Sequence, residues 1–149
     1  MNSNQAVTWR SFPAFYAHLD LQLKALANGE CVILLPYQAR FGNSRGEVHG
    51  GIVASLLDIA LTQAVWSTLD PQAGIATISL MVNYLAAARG ELVATGTLMR
   101  GGRTVAFAQG EVRDATGNTV CHATGIFRVI PPKSAGQIGH GETTGQRAE

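Results

Sequence analysis

One segment, Gly50 to Ser67, constrains the fold of this chain more than any other. It is apolar on almost every face and holds a single charged residue, Asp58. Asp70-Pro71 follows it, and a proline in that position ends a helix. A helix that is apolar all round has to be buried. The segment therefore predicts a buried central helix that the rest of the chain must cover.

Four β-rich runs follow this helix and are separated by short turns. They span residues 75–86, 91–100, 103–114 and 118–130. Gly101-Gly102, between the second and third runs, is typical of a tight hairpin. We therefore expect the second half of the chain to form an antiparallel meander.

The first third of the chain predicts a helix followed by a strand. Ser11 is a candidate N-cap, and Asn28-Gly29 is expected to end the helix. The apolar residues between them follow a helical spacing, at Phe12, Phe15, Tyr16, Leu19, Leu23 and Leu26. Cys31 to Leu35 predicts a short strand, and residues 37–49 predict a polar loop.

Only a sheet remains to cover the central helix. The element order therefore predicts an α+β domain in which a curved antiparallel sheet wraps around that helix. We expect residues 1–130 to form this single domain with its N-terminal helix. Residues 131–149 begin with Pro131-Pro132 and are rich in Gly, Ser, Thr and Gln, which predicts a disordered tail.

Composition narrows the expected partners and location. Apolar residues make up 46% and charged residues 14%, which suggests apolar surface hidden in an oligomer. The formal net charge of +1 gives no reason to expect nucleic acid or a membrane as a partner. Since there is no signal-peptide pattern and no membrane-length apolar run, a cytoplasmic location is expected, with Cys31 and Cys121 as reduced thiols.

Asp58 is the residue of the central helix that asks for an explanation. Its neighbours three and four positions away include no basic residue, and a carboxylate without a partner is costly to bury. One interpretation gives Asp58 a partner from elsewhere in the chain, or an exposed position. The other makes it a general base or nucleophile tuned by apolar surroundings.

His49-Gly50-Gly51 forms the entry to the same helix. Free backbone N–H groups and the helix dipole favour negative charge at a helix N-terminus. Two glycines there would let a carbonyl group approach the backbone and would stabilise its developing oxyanion. A tight loop-to-helix turn with a surface histidine explains the same three residues. The spacing alone does not distinguish this structural interpretation from the oxyanion site.

The distance between these two places predicts an oligomer. Gly50 and Asp58 are eight residues apart, about 12 Å along a helix axis. One carbonyl is not expected to contact both groups of the same chain. If both serve one substrate, the second group comes from another copy, and the active sites lie at a dimer interface.

The stretch from Asn43 to Asp58 resembles the hotdog-fold thioesterases of the phenylacetate-degradation (PaaI-like) type. That family shows Asn or Gln six residues before His-Gly-Gly and an acidic residue seven positions after the second Gly; this chain has both spacings. The resemblance extends from about Cys31 to Val129, through Asn83-Tyr84-Leu85 and Gly102-Arg103-Thr104. It implies a hotdog fold and hydrolysis of acyl-CoA thioesters, with no cofactor beyond the coenzyme A of the substrate.

The resemblance also implies roles for individual residues. Asp58 would activate water or attack the thioester, and the Gly50 N–H would polarise its carbonyl. His49 and Asn43 would orient the loop and the substrate. Thr77 would position the water, with Ser79 as the second candidate. In the family, the Asn, His and Gly come from one subunit and the carboxylate and hydroxyl from its dimer mate, which implies a homodimer or a dimer-of-dimers tetramer.

Other substrate contacts are less constrained. Arg89, Arg100 and Arg103 flank turns and are candidates for the coenzyme A phosphates, although solvated arginines at hairpin ends explain them equally well. Trp66, Met81 and Tyr84 are candidates for the acyl pocket or for core packing, and Phe12, Phe15 and Tyr16 for a cap over the site. The histidines lack ligand spacing, so no metal is expected.

Two alternatives to hydrolysis share the fold. Hotdog dehydratases and hydratases act on acyl thioesters, but the His-Phe-Pro-Gly type of segment that dehydratases usually carry is absent from this chain. A non-catalytic module that binds or senses acyl-CoA would be expected to lack the helix carboxylate or to carry a DNA-binding segment. The presence of Asp58 favours the enzyme.

Overall fold

A single long helix lies against a six-stranded antiparallel sheet in the computed structural model, which describes residues 8–132. The helices are α1 (Ala14–His18) and α2 (Gly50–Trp66), with a 3-10 turn at Ala39–Phe41. The strands are β1 (Gln22–Ala27), β2 (Glu30–Leu35), β3 (Gly74–Tyr84), β4 (Leu92–Arg100), β5 (Val105–Asp114) and β6 (Thr119–Ile130). Their order in the sheet is β1-β2-β4-β5-β6-β3. This is the hotdog arrangement, and it confirms the predicted α+β fold class.

Helix α2 is buried as its composition predicts. Leu56, Leu57 and Leu61 are fully buried, and they pack into the core formed with β2, β4 and β5. The helix passes very close to the sheet at Gly96, where a Cβ atom would lie 2.5 Å from the carbonyl oxygen of Ala60. Only glycine leaves room for this crossing. The predicted central helix and the four predicted strands after it are confirmed, and their ends differ from the predicted ones by at most two residues.

The predicted N-terminal helix is largely wrong. Helix α1 has five residues and starts after Pro13 rather than at a Ser11 cap, and Gln22–Ala27 is strand β1, paired antiparallel with β2. Asn28 and Gly29 have φ angles of 51° and 84° and connect the paired residues Ala27 and Glu30. Asn-Gly in this conformation is a favoured two-residue hairpin turn.

The segment Gln22–Ala27 forms a strand rather than a helix because of the backbone of β2. A helix over residues 11–26 would have left one edge of β2 without hydrogen-bond partners, whereas β1 satisfies that edge. The helical spacing of the leucines was therefore outweighed by the pairing of this segment with the adjacent strand β2. The predicted tail covers residues 131–149, of which 133–149 lie outside the described residues, so the domain boundary at 130 stays a prediction.

Strand β3 forms one edge of the sheet and pairs with β6 alone among residues 8–132. Large apolar side chains are exposed on it and just after it: Ile78 (57%), Met81 (61%), Tyr84 (56%) and Leu85 (61%). A long edge strand with apolar side chains is a template for pairing with another chain. No helix of the described region is long and apolar enough to cross a membrane.

Candidate active site

The N-terminus of α2 presents one free backbone donor. His49 is the N-cap, and its Nδ1 accepts a hydrogen bond from the Gly51 N–H at 2.9 Å. The N–H groups of Ile52 and Val53 both donate to the His49 carbonyl oxygen. Within the described part of the chain, the Gly50 N–H is left without an acceptor. The helix dipole and this single donor make the Gly50 amide the place where a carbonyl oxygen would be polarised.

The His49 cap also assigns the form of its imidazole ring. Because Nδ1 accepts the Gly51 N–H, the proton of the neutral ring is on Nε2. His49 is exposed, so this Nε2–H is available as a donor beside the start of α2. The sequence pointed to His49 and Gly50 together; the structure separates their contributions, with His49 holding the Gly51 amide and leaving the Gly50 amide free.

Asn43 organises the loop that leads to His49. Its Oδ1 accepts from the N–H groups of Arg45 (2.8 Å) and Glu47 (3.1 Å), and its Nδ2 donates to the Glu47 carboxylate (3.1 Å). Asn side chains commonly build turns by bonding to the backbone two or more residues ahead. Asn43 therefore holds its own loop in shape, and it also lines the same cavity as Gly50.

Glu47, which the sequence reasoning missed, joins this loop to the segment before β4. It is 8% exposed, and one carboxylate oxygen accepts from Arg45 (2.9 Å) while the other accepts from Arg89 (3.1 Å). The hydrogen bond from Arg45 lowers the pKa of Glu47 most, and the hydrogen bond from Asn43 is the next largest cause. The Arg89 guanidinium thus has a partner in the chain, although most of it is exposed. The only sequence signal for this ion pair was that Arg45 lies two residues before Glu47.

Gly50 opens onto a cavity of about 480 Å³ that it shares with Asn43, Glu47, Val53 and Tyr84. The Tyr84 hydroxyl donates to the Gly50 carbonyl oxygen at 2.8 Å, and a Cβ at Gly50 would lie 3.3 Å from the Tyr84 ring. Tyr84, predicted as a possible pocket residue, therefore packs against the helix entry. This close packing is a physical reason for glycine at position 50.

Asp58 opens onto a second cavity, of about 470 Å³, that does not include Gly50. The Thr77 hydroxyl donates to Oδ1 of Asp58 at 2.9 Å. Burial raises the pKa of the Asp58 carboxyl above its ordinary value, and the hydrogen bond from Thr77 partly opposes the shift. No basic side chain compensates this carboxylate among the groups that shift its pKa. A partly buried carboxylate with a raised pKa is a common property of catalytic acids and bases.

A β-bulge in β3 brings Thr77 and Tyr84 to the same side of the sheet. They are seven residues apart, and strict alternation would put them on opposite faces. The pairing with β6 shifts between Thr77 and Ser79, so that Ile78 is the extra residue. Before the bulge Ile75 and Thr77 face α2, and after it Leu80, Val82 and Tyr84 do. Bulges often re-aim side chains in this way near functional sites.

The other two predicted phosphate contacts lie elsewhere. Arg100 ends β4 and Arg103 lies in the following hairpin; both are exposed, and neither lines the cavity of Gly50 or that of Asp58. The structure brings Asn43 and Gly50 to one cavity, with His49 directly before Gly50, and Asp58 with Thr77 to another; we call these the Gly50 set and the Asp58 set. Within one chain, the two sets open onto separate cavities.

Comparisons with known proteins identify similar sequences. The sequence pattern of the thioesterase superfamily matches residues 45–121, which include Gly50, Asp58 and Thr77. A Halobacterium salinarum protein with a provisional esterase name is 37% identical over 123 residues, covering 75% of this chain and 82% of that protein. The medium/long-chain acyl-CoA thioesterase of Escherichia coli K12 is 35% identical over 96 residues, covering 55% of this chain and 62% of that enzyme.

Solved structures show the same fold. The PaaI protein from the phenylacetic acid degradation operon of Escherichia coli superimposes with a TM-score of 0.75 and 20% sequence identity. The match covers 80% of this chain and 86% of that protein. At this identity, the likeness concerns the arrangement of helix and sheet.

Proposed function

Because this chain belongs to the thioesterase superfamily and is a thioester hydrolase, we propose that it cleaves acyl-CoA thioesters to a free acid and coenzyme A. The observation that carries the proposal is that α2 provides both a free N–H, at its start, and a carboxylate of raised pKa. The sequence relation to an acyl-CoA thioesterase of Escherichia coli supports coenzyme A as the carrier of the acyl group.

The proposed reaction uses both groups in its first step. The Gly50 N–H donates to the thioester oxygen and stabilises the oxyanion that forms there. Ionised Asp58 takes a proton from a water molecule held by Thr77 while the water oxygen bonds to the carbonyl carbon. When the carbon–sulfur bond breaks, the sulfur leaves as thiolate and receives that proton. Direct attack by Asp58, with an anhydride that water then opens, is the second route open to the same carboxylate.

We propose that each active site combines two subunits. The Gly50 set and the Asp58 set open onto separate cavities of one chain, and β3 contributes a residue to each: Tyr84 to the first and Thr77 to the second. Pairing of the exposed β3 edge with that of a second copy would bring the Gly50 cavity of one subunit towards the Asp58 cavity of the other. The apolar side chains exposed along this edge support such pairing.

We expect a heterodimer of two inactive variants to regain activity. One subunit would carry Asp58→Asn and the other Gly50→Pro, so that one of the two shared sites keeps both native groups and the other has neither. The purified heterodimer, selected with two different affinity tags, should show about half of the wild-type activity per dimer. Thiol release from an acyl-CoA measures it. If each site lies within one chain, the heterodimer is as inactive as its two parents.

The coenzyme A phosphates require cations at the mouth of a cavity. Of the three candidates, we propose Arg89 as the phosphate contact nearest the thioester, because its neighbours Ala87 and Ala88 line the Gly50 cavity. The bond to Glu47 uses one of its terminal nitrogens and leaves other donors free. Arg100 and Arg103 line neither cavity, so their contact with the phosphates stays a prediction.

The assay that tests the proposed function measures thiol release from a panel of acyl-CoA esters with short, medium, long and aromatic acyl groups. Turnover of at least one of them, abolished in Asp58→Asn, is the expected result. Binding without turnover on every substrate would favour an acyl-CoA-sensing module instead. Hydration or dehydration of enoyl-CoA esters without thiol release would favour the hydratase alternative.

Replacement of Thr77 by Val should move the pH dependence of the enzyme in a defined direction. The Thr77 hydroxyl stabilises ionised Asp58, so its loss raises the Asp58 pKa further. If Asp58 acts in its ionised form, the acidic limb of kcat/KM moves to higher pH in Thr77→Val. Ser79→Ala is the matched control, since Ser79 follows the bulge and does not line the Asp58 cavity. A limb that stays in place, or moves to lower pH, contradicts this role of Thr77.

A further inference from the structure

We infer that the N-terminal cap, defined as residues Trp9–Leu19, forms the end wall of the acyl pocket and sets the length of the acyl chain that the enzyme accepts. The inference rests on the proposed function, because it assigns the acyl group to the cavity beside Asp58. Two independent features support it: the cap contributes Phe15 and Tyr16 to that cavity, and a buried side chain of α2 holds the cap in place.

The buried side chain is Gln63. It has no exposed surface although it lies on an otherwise apolar part of α2. Its Oε1 accepts the Arg10 N–H at 3.2 Å, and its Nε2 lies 3.5 Å from the Ser11 carbonyl oxygen and 3.4 Å from the Tyr16 hydroxyl. An amide buried in an apolar core is costly unless it is hydrogen-bonded. All of these partners lie on the cap, so Gln63 is a latch between the cap and α2.

Further contacts hold the cap in one position. The Arg10 guanidinium donates to the Leu69 carbonyl oxygen at 2.9 Å, beyond the end of α2. Trp9, Phe12 and Tyr16 form an aromatic cluster with ring centroids 5.2 to 5.8 Å apart. Phe15 precedes Tyr16 on the short helix α1, and both side chains line the cavity of Asp58.

The rest of the cavity wall is suited to an apolar acyl group. Ile59, Ile75 and Leu80 line it together with Trp66, whose indole N–H is already bonded to the Ala73 carbonyl oxygen at 2.8 Å. Ser55 also lines it, but its hydroxyl donates to the Gly51 carbonyl oxygen within α2. An alkyl chain that starts at the thioester beside Asp58 would therefore extend along apolar surface towards the aromatic ring of Phe15.

Phe15→Ala tests the wall, and Phe12→Ala is a closely matched control. Both side chains are 50% exposed and both belong to the cap, but only Phe15 lines the cavity. The measurement is kcat/KM for hexanoyl-, decanoyl- and tetradecanoyl-CoA. Because each methylene that gains an apolar contact contributes about a fourfold factor, we expect Phe15→Ala to raise the tetradecanoyl-to-hexanoyl ratio by about tenfold or more. Phe12→Ala removes a ring of the aromatic cluster but leaves every residue that lines the cavity in place, so it should raise this ratio much less than Phe15→Ala.

Gln63→Leu tests the latch without replacing a residue that lines the cavity. Loss of the amide leaves the Arg10 N–H and the Ser11 carbonyl without their partner, so the cap should detach more often. We expect kcat/KM to depend less on acyl-chain length, while kcat for hexanoyl-CoA stays within about twofold of the wild-type value. Trypsin should cleave after Arg10 faster than in the wild type. Gln63→Glu, protonated in this buried position, keeps one donor and one acceptor and should restore part of the preference.

Binding of alkyl-CoA thioethers of the same three lengths, measured by calorimetry, separates this inference from the proposed mechanism. If Phe15→Ala shifts the length dependence of Kd while Asp58→Asn leaves turnover unchanged, the cap is the wall and the catalytic assignment of Asp58 is wrong. If Phe15→Ala and Phe12→Ala give the same length dependence, in turnover and in thioether binding, the cap does not limit the acyl pocket and the inference is overturned.

Discussion

The Asp58→Asn variant is expected to hydrolyse acyl-CoA about a thousandfold more slowly than the wild type, within the range of 10²–10⁴ that a general base contributes. Asn has nearly the shape of Asp and can still accept the hydrogen bond from Thr77. It cannot take a proton from water or attack a carbonyl carbon. The loss should therefore fall on kcat, with little change in KM, and thiol release at saturating substrate measures it.

The same variant should not lose stability. Burial raises the pKa of Asp58 in the folded protein, so between the unfolded pKa of about 3.9 and the higher folded value the folded state binds the extra proton. The free energy of unfolding therefore falls as the pH rises through this interval. At neutral pH the ionised carboxylate costs stability that Asn does not, so Tm should be unchanged or higher in Asp58→Asn.

These two measurements together distinguish a catalytic from a structural Asp58. A variant with wild-type turnover rules out the proposed chemistry. A variant whose Tm falls by several degrees at neutral pH would mean that Asp58 is needed for folding, and its lost activity would then carry no information about catalysis. The combination we expect, low kcat with an intact Tm, is the one that a tuned catalytic carboxylate produces.

Gly50→Pro is expected to lower kcat by 10²–10³ relative to Gly50→Ala, the range found when one oxyanion donor is removed. Gly50 is the first residue of α2, where proline is well tolerated because its fixed φ suits the helix start. The preceding His49 has ψ 136°, an extended value that a following proline allows. Proline therefore removes the free N–H of Gly50 and keeps the helix.

Gly50→Ala is the control because it adds a β-carbon without removing the N–H. The new carbon lies 3.3 Å from the Tyr84 ring in either variant, so any displacement of Tyr84 is common to both. Circular dichroism and Tm should show that both variants keep their helix. Equal kcat in the Pro and Ala variants would exclude the Gly50 amide as the oxyanion donor and would leave the Nε2–H of His49 as the next candidate.

The sequence by itself determined the parts of the protein whose signal lies within one short segment. The all-round apolar character of residues 50–67 required a buried helix, and the β-rich runs after it, separated by turns, predicted strands. The eight-residue separation of Gly50 and Asp58 placed them about 12 Å apart on one helix. The spacing of Asn43, His49 and Asp58 was enough for the resemblance to the thioesterases.

Only the tertiary structure decided which atoms are free to act. Three features depend on hydrogen bonds whose possible partners compete with one another. These are the pairing of β1 with β2, the His49 cap on the Gly51 N–H, and the bulge that turns Thr77 rather than Ser79 towards Asp58. The partners of Gln63 lie more than forty residues earlier in the chain. Periodicity reports which face of an element is apolar, but it carries no information about which distant group wins a buried donor or acceptor, because that choice depends on the packing of the whole domain.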